Sequence, residues 1–185
     1  MQERWDTKEA LKRTGADPDN ISLEQLENIL LFPFLLERGF DMALEEEFGP
    51  QKTYEIVSKA WYQMGKICYS LLKEKLGLKE VKDIDTLANL IKVGYNNLLN
   101  PVTLKEDGKD RKTLHGSMCS FWGFGQMLLG MKATDEICKA WREASNTFIA
   151  GIIDSAGLKG IIKGEMIHAM CLGDDEDIIV LEYVK

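Results

Sequence analysis

The C-terminal segment 163–185 brings a carboxylate, an imidazole and a thiol together in the residues Glu165, His168 and Cys171. A short acidic stretch, "GDDED", follows at 173–177. The alternation of apolar and polar residues around this stretch predicts a β-hairpin, and a hairpin needs only that alternation and a turn. Carboxylate, imidazole and thiolate groups bind metals and act in acid–base or nucleophilic catalysis. The segment is therefore either ordinary strand sequence or part of a functional site.

The chain has two histidines, so a mechanism that needs an imidazole must use His115 or His168. The motifs "HGSMC" and "HAMC" place Cys119 after the first histidine and Cys171 after the second, which gives the ligand types that zinc prefers. Strand geometry disfavours this zinc site. Residues at an odd separation point to opposite faces of a regular strand, and His168 and Cys171 are three apart. Buried structural thiols are the alternative, since free cysteines are commonly buried.

The N-terminal half, 1–92, is predicted to be mainly helical. Ser22 and Gln25 have the spacing of a capping box at the start of "SLEQLENILLF", and Asp85 is a candidate cap for the helix "TLANLIKVGYNNLL". Between them, the segment "TYEIVSKAWYQMGKICYSLLKEKLG" predicts a helix with one apolar stripe, formed by Ile56, Ala60, Trp61, Met64, Ile67, Cys68, Leu71 and Leu72.

The C-terminal half, 93–185, has a different pattern. "VTL", the polar turn "KEDGKD" and "RKTLHGSMC" predict one hairpin, and strands near 161–171 and 177–184 predict a second. A long helix that starts at Thr134 separates the two hairpins. We therefore predict an α+β fold with a helical N-terminal half, a C-terminal antiparallel sheet of about four strands and a long inserted helix. The length predicts a single domain over 1–185.

Composition restricts the class of partner. A net charge of −7 disfavours binding to nucleic acid, and the familiar nucleotide-binding motifs are absent, so we expect no nucleotide cofactor. The N-terminal stretch is rich in charged residues and lacks a secretory signal, and the apolar run "ILLFPFLL" is too short to span a bilayer. We expect a cytoplasmic protein with no membrane partner, in which this run is either core or a homodimer interface.

Several short motifs of the C-terminal half resemble known families. "CSFW" at 119–122, "EICKAW", "GEMIH" and "GDDEDIIV" resemble the vinyl-reductase (hydrocarbon-binding) domain. They are still more similar to the related L-2-amino-thiazoline-4-carboxylic acid hydrolase family. The resemblance covers about 95–184 and implies a ligand pocket between the sheet and its covering helices.

The resemblance also implies a metal site. Sensor members of the vinyl-reductase family bind zinc through a helix cysteine, an E-x-x-C strand segment and a turn cysteine, and those places here hold Cys138, Glu165, His168 and Asp177. Histidine and aspartate have replaced two cysteines, yet both still ligate metals, so the implied ion is zinc or iron. Because Glu165 and His168 are three apart, the resemblance predicts a bulge or a strand end between them. The alternative is that these groups are solvated or structural.

Aromatic and methionine side chains are candidates for the walls of an apolar pocket. The glycines that alternate with large rings in "FWGFG" leave space that a close-packed core does not need. Packing in an ordinary core is the alternative. The predicted ligand-binding residues are Trp61, Tyr95, Met118, Phe121, Trp122, Phe124 and Trp141.

These observations predict binding of a small apolar or heterocyclic organic molecule. The alternative is a hydrolase that opens a ring C–N or C–S bond. The resemblance to the hydrolase family places a nucleophilic role on Cys119, although Ser120 follows it where the family has proline. His115, four residues upstream, would be the base, and metal-bound water is the other route to hydrolysis.

Overall fold

The computed structural model describes residues 20, 22–97, 100–106, 108–130 and 136–185. The chain divides into two compact units, 1–43 and 44–185, and each is described by itself. The single domain predicted over 1–185 stays a prediction.

The described part of the first unit is dominated by helix α1, Leu23–Phe48, whose last residues belong to the second unit. The helix begins directly after Ser22, where the capping-box pattern predicts it. Phe34 and Asp41 are buried, while Phe32, Leu35, Leu36 and Phe40 are exposed. These exposed apolar side chains are compatible with the predicted homodimer interface, which stays a prediction.

The second unit contains the helices α2, Pro50–Lys75, and α3, Ile84–Asn97, followed by α4, Ser120–Leu129, and α5, Glu136–Ser155. Asp83, and not Asp85, caps α3: its carboxylate accepts hydrogen bonds from the Thr86 N–H at 2.7 Å and the Thr86 hydroxyl at 3.0 Å. Asp85 instead forms an ion pair with the buried Lys112, with 2.7 Å between Oδ1 and Nζ. Within the described residues, no helix is both long enough and apolar enough to cross a membrane.

Two hairpins form one antiparallel sheet in the second unit. Its strands are β1, Val102–Glu106, β2, Arg111–Gly116, β3, Ile162–His168, and β4, Asp177–Tyr183, in the order β1-β2-β4-β3. A short 3-10 helix, Met170–Leu172, lies between β3 and β4. With helices before the sheet and α5 inserted between the hairpins, the predicted α+β class and antiparallel sheet are confirmed.

The core lies between the sheet and its helices. Helix α3 packs on β1, β2 and β4, while α5 packs on β3 and also contacts α2 along much of its length. Fully buried side chains that fill this space are Ile84, Leu87, Leu90, Ile91, Leu114, Phe148, Ile149, Ile152, Ile179 and Leu181. The sheet thus has one face covered by α3 and α5, and α2 covers α5.

Two glycines set how closely α2 and α5 approach each other. A Cβ on Gly65 would overlap the backbone carbonyl oxygen of Phe148, and a Cβ on Gly151 would overlap that of Tyr62. The buried face of α2 therefore contains Gly65, Tyr69 and Leu72. This differs from the predicted stripe, because Ala60, Ile67 and Leu71 are exposed.

Candidate functional site

A cavity of about 30 Å³ lies in the second unit, where α2, α3 and α5 meet the ends of the hairpins. Residues from each of these elements and from the start of α4 contribute to its walls. The lining residues are Trp61, Tyr95, Asn100, Cys119, Trp141, Arg142, Ser145, Met166, Ala169, Cys171 and Asp177.

The apolar walls of the cavity join the core through Phe148. The Trp61 ring from α2 meets Phe148 edge-on, with 6.1 Å between the centroids, and the Tyr95 ring from α3 does so at 5.9 Å. Both distances are within the range of favourable edge-to-face aromatic pairs. Because Phe148 is fully buried, these two rings of the cavity wall pack against the core.

Tyr95 supplies a polar group that the fold leaves unpaired. The side chain is 4% exposed, and its buried hydroxyl has no hydrogen-bond partner among the described residues, although Ser145 lies beside it. Burial raises the pKa of Tyr95 above its ordinary value, so the hydroxyl is neutral. An unpaired buried hydroxyl costs about 1–3 kcal/mol. A ligand that reaches this hydroxyl would recover part of that cost.

Asp177 is the buried acid of the site. It is 7% exposed, and its Oδ1 accepts a hydrogen bond from the backbone N–H of Met170 at 2.7 Å. The Cys119 thiol donates a second hydrogen bond to the carboxylate. Burial is the main cause that raises the pKa of Asp177, and these two bonds oppose the shift. The position follows from strand pairing, which places Asp177 opposite Gly116 at the start of β4.

Cys119 lies in the connection between β2 and α4. It occupies the N-terminal flank of α4 with an extended backbone, and its side chain does not cap the helix. The next residue is anchored by Asn100, whose Oδ1 accepts hydrogen bonds from the Ser120 N–H at 2.6 Å and the Ser120 hydroxyl at 2.9 Å. This clamp orients the thiol toward the cavity, beside Asp177.

The predicted ligand-binding residues are distributed over several environments. Trp61, Tyr95 and Trp141 line the cavity, whereas Trp122 lies in the hydrophobic core cluster. Met118 is 63% exposed. The side chains of Phe121 and Phe124 lie outside the described part of the structure.

The four residues of the implied metal site each have another partner or a buried position. Cys138 is fully buried, and its carbonyl oxygen accepts a hydrogen bond from the Cys171 thiol at 3.6 Å. Glu165 pairs with Lys163 at 2.8 Å, and His168 Nδ1 lies 3.2 Å from Asp174. The structure, over the residues it describes, contains no group of three or more histidine, cysteine or acidic side chains that could hold a metal ion. Zinc or iron binding stays a prediction.

The irregularity expected between Glu165 and His168 is present. The β3–β4 register shifts between Met166 and His168, and β3 ends at His168. The 3-10 helix that follows carries Cys171 and the backbone N–H of Met170 to the cavity and to Asp177. The irregular strand end thus forms part of the cavity wall.

The predicted catalytic pair is not in hydrogen-bond contact in the described structure. His115 Nδ1 lies 3.0 Å from Glu176 Oε2, and Nε2 lies 3.2 Å from the Thr113 hydroxyl. Asp177, rather than His115, is the acceptor that the Cys119 thiol meets. A catalytic role for Cys119 and His115 stays a prediction.

Six lining residues were not predicted for the pocket: Asn100, Arg142, Ser145, Met166, Ala169 and Cys171. Asn100 precedes Pro101 in a loop, and the others lie on α5 or near the end of β3. The sequence gives little indication that a loop asparagine is buried in a pocket, because asparagines in loops more often stabilise turns at the surface.

The fold of this chain is similar to that of two proteins whose structures have been solved. Trafficking protein particle complex subunit 3 from Naegleria fowleri, solved covalently bound to palmitic acid, aligns with a TM-score of 0.58 and 15% identity over 85% of this chain and 96% of its own. The phenol-responsive sensory domain of the transcription activator PoxR, solved with phenol, aligns with a TM-score of 0.55 and 11% identity over 81% of this chain and 74% of its own.

At these identities, the similarity shows a shared fold. Neither a protein-family model nor a curated protein sequence matches the chain. The resemblance to the vinyl-reductase and thiazoline-hydrolase families therefore stays a prediction, while the fold shared with the two solved structures is established.

Proposed function

We propose that this protein binds a small, largely apolar aromatic or heterocyclic molecule that carries one hydrogen-bonding group. The observation that carries the proposal is the unpaired Tyr95 hydroxyl in a cavity walled by Trp61 and Trp141. Ligand sites are typically concave and apolar, with a few polar groups that fix the orientation of the ligand. The cavity has this composition, with Asn100 and Asp177 as further polar groups.

The cavity is too small to hold an aromatic ligand without a change in its walls. A volume of 30 Å³ is room for about two water molecules, whereas an engineered cavity of about 150 Å³ accommodates benzene. An aromatic ligand therefore requires its walls to move outward on binding. Trp61 is only partly buried, so rotation of its side chain is the change that disturbs the core least.

The two solved structures of the same fold support a ligand-binding role. One holds palmitic acid covalently and the other holds phenol, so the fold has accommodated apolar ligands of very different length. Phenol is the more suitable first probe for this chain, because it combines an apolar ring with a single hydroxyl that can pair with Tyr95.

The Tyr95→Phe substitution tests the proposal. The variant removes the unpaired hydroxyl and keeps the ring, so its free energy of unfolding should equal or exceed that of the wild type by up to about 2 kcal/mol in urea titrations. Calorimetric titration with phenol should show an affinity about 5- to 30-fold lower than in the wild type. Wild-type protein that binds no phenol, benzyl alcohol or benzylamine at millimolar concentration would contradict the proposed function.

The Cys119→Ser substitution separates binding from hydrolysis. Serine keeps a small hydrogen-bond donor beside Asp177, so we expect phenol affinity to change less than about threefold, as a weak and retained contact implies. A cysteine hydrolase would instead lose turnover of a thiazoline substrate in this variant. Turnover by the wild type that disappears in Cys119→Ser would favour the hydrolase alternative.

A further inference from the structure

We propose that the cavity selects a ligand with a protonated nitrogen, such as a primary ammonium group, over a neutral ligand of the same shape. This inference rests on the proposed function and names the chemical class of the ligand. Its basis is the set of groups that surround Asp177.

The Asp177 carboxyl has no cationic partner in the described part of the chain. Its hydrogen-bond donors are the Met170 backbone N–H and the Cys119 thiol, both of which are uncharged. A carboxylate has about four lone-pair sites, so acceptor capacity remains for a ligand. Buried charges are normally paired, and an ammonium ligand would supply the missing cation.

Two further charged residues, Asp174 and Arg142, bear on the binding of a cation at Asp177. Asp174 acts on Asp177 as a like charge, and this repulsion is one of the causes that raise its pKa. Arg142 also lines the cavity, but its Nε donates to the Met166 carbonyl oxygen at 3.1 Å. Its charge lowers the pKa of both Glu165 and Asp174. The positive charge of Arg142 is therefore offset by two acids, Glu165 and Asp174.

The remaining walls suit the same ligand. Asp177 and Tyr95 both line the cavity, so a ligand inside it meets a carboxylate and a phenol hydroxyl. Trp61 and Trp141 line the same cavity, and the faces of tryptophan rings attract cations. A buried carboxylate, an unpaired hydroxyl and two indoles thus meet around one space.

Benzylamine and benzyl alcohol form the matched pair for the test, since they have nearly the same shape and only the amine is cationic at pH 7. Calorimetric titration of the wild type should give an affinity at least about tenfold higher for benzylamine, as a charge-assisted hydrogen bond provides. In Asp177→Asn, whose side-chain oxygen can still accept a hydrogen bond from the Met170 N–H, the ratio of benzylamine affinity to benzyl alcohol affinity should fall below about threefold. A melting temperature equal to or above that of the wild type would show that the variant is folded.

The outcomes separate the two proposals. Equal affinity for the two probes in the wild type, or tighter binding of the alcohol, overturns the inference and leaves the proposed function standing. A preference for benzylamine that survives in Asp177→Asn also overturns the inference, because the selectivity then comes from another group. Failure of the wild type to bind either probe, or phenol, overturns both.

Discussion

Replacing Gly151 with alanine is expected to destabilise the protein by about 3 kcal/mol, and Gly65→Ala is expected to do the same. In each variant the new methyl group would overlap a backbone carbonyl oxygen of the facing helix. A backbone atom cannot rotate away as a side chain can, so α2 and α5 would have to separate. Urea unfolding followed by circular dichroism measures the loss.

Gly123→Ala is the matched control for these two substitutions. Gly123 also lies in a helix, α4, but a Cβ there would meet nothing within 4 Å. Alanine has the higher helix propensity, so this variant should be more stable by about 0.5–1 kcal/mol. If all three variants lost similar stability, helix contact would not be the cause and our account of the α2–α5 packing would be wrong.

Phe148→Ala is expected to cost about 3–5 kcal/mol, because it empties the space behind the cavity. Phe148 is 1% exposed and supports the rings of Trp61 and Tyr95. The new space would adjoin the existing cavity, so benzene should bind this variant and restore part of the lost stability, by an amount that rises with the logarithm of the benzene concentration once the site is mostly occupied. Thermal unfolding with and without benzene measures both effects.

Ile67→Ala serves as the control for Phe148→Ala. Ile67 is 62% exposed, so the substitution should change the free energy of unfolding by less than about 0.5 kcal/mol. Benzene should not stabilise this variant more than the wild type. A Phe148→Ala protein as stable as the Ile67→Ala protein would show that Phe148 does not support the cavity wall.

Much of the fold follows from local patterns in the sequence. The helix after Thr134 has strong helical periodicity, and both hairpins have alternating strands around polar turns, so these elements lie close to their predicted positions. Finer features depended on tertiary contacts. Asp85 has the right residue type for a cap, but the pairing of β2 with the sheet brings Lys112 to it, and Asp83 caps α3 instead.

The site was less predictable than the fold because it is built from distant segments. Three residues of the site could be predicted from the sequence, since large aromatic residues on apolar helix faces are candidates for any pocket: Trp61, Tyr95 and Trp141. The contact of Asp177 with Cys119 depends on β4 pairing with β2, which no local pattern specifies. The resemblance to the vinyl-reductase family predicts a bulge or a strand end between Glu165 and His168, because the two residues are three apart, and the register shift is there.

The β3 strand, at one end of the sheet order, also bears on how the protein behaves at high concentration. A regular, apolar edge strand is a template for pairing with another molecule, which is how many proteins begin to aggregate. Here the ion pair of Lys163 and Glu165 places charge on the strand, and the register shift at Met166 interrupts its regular ladder. Ile161 and Ile167 are exposed beside these features. The same irregular strand end that shapes the cavity therefore also makes this edge a poor template for growth of a larger sheet.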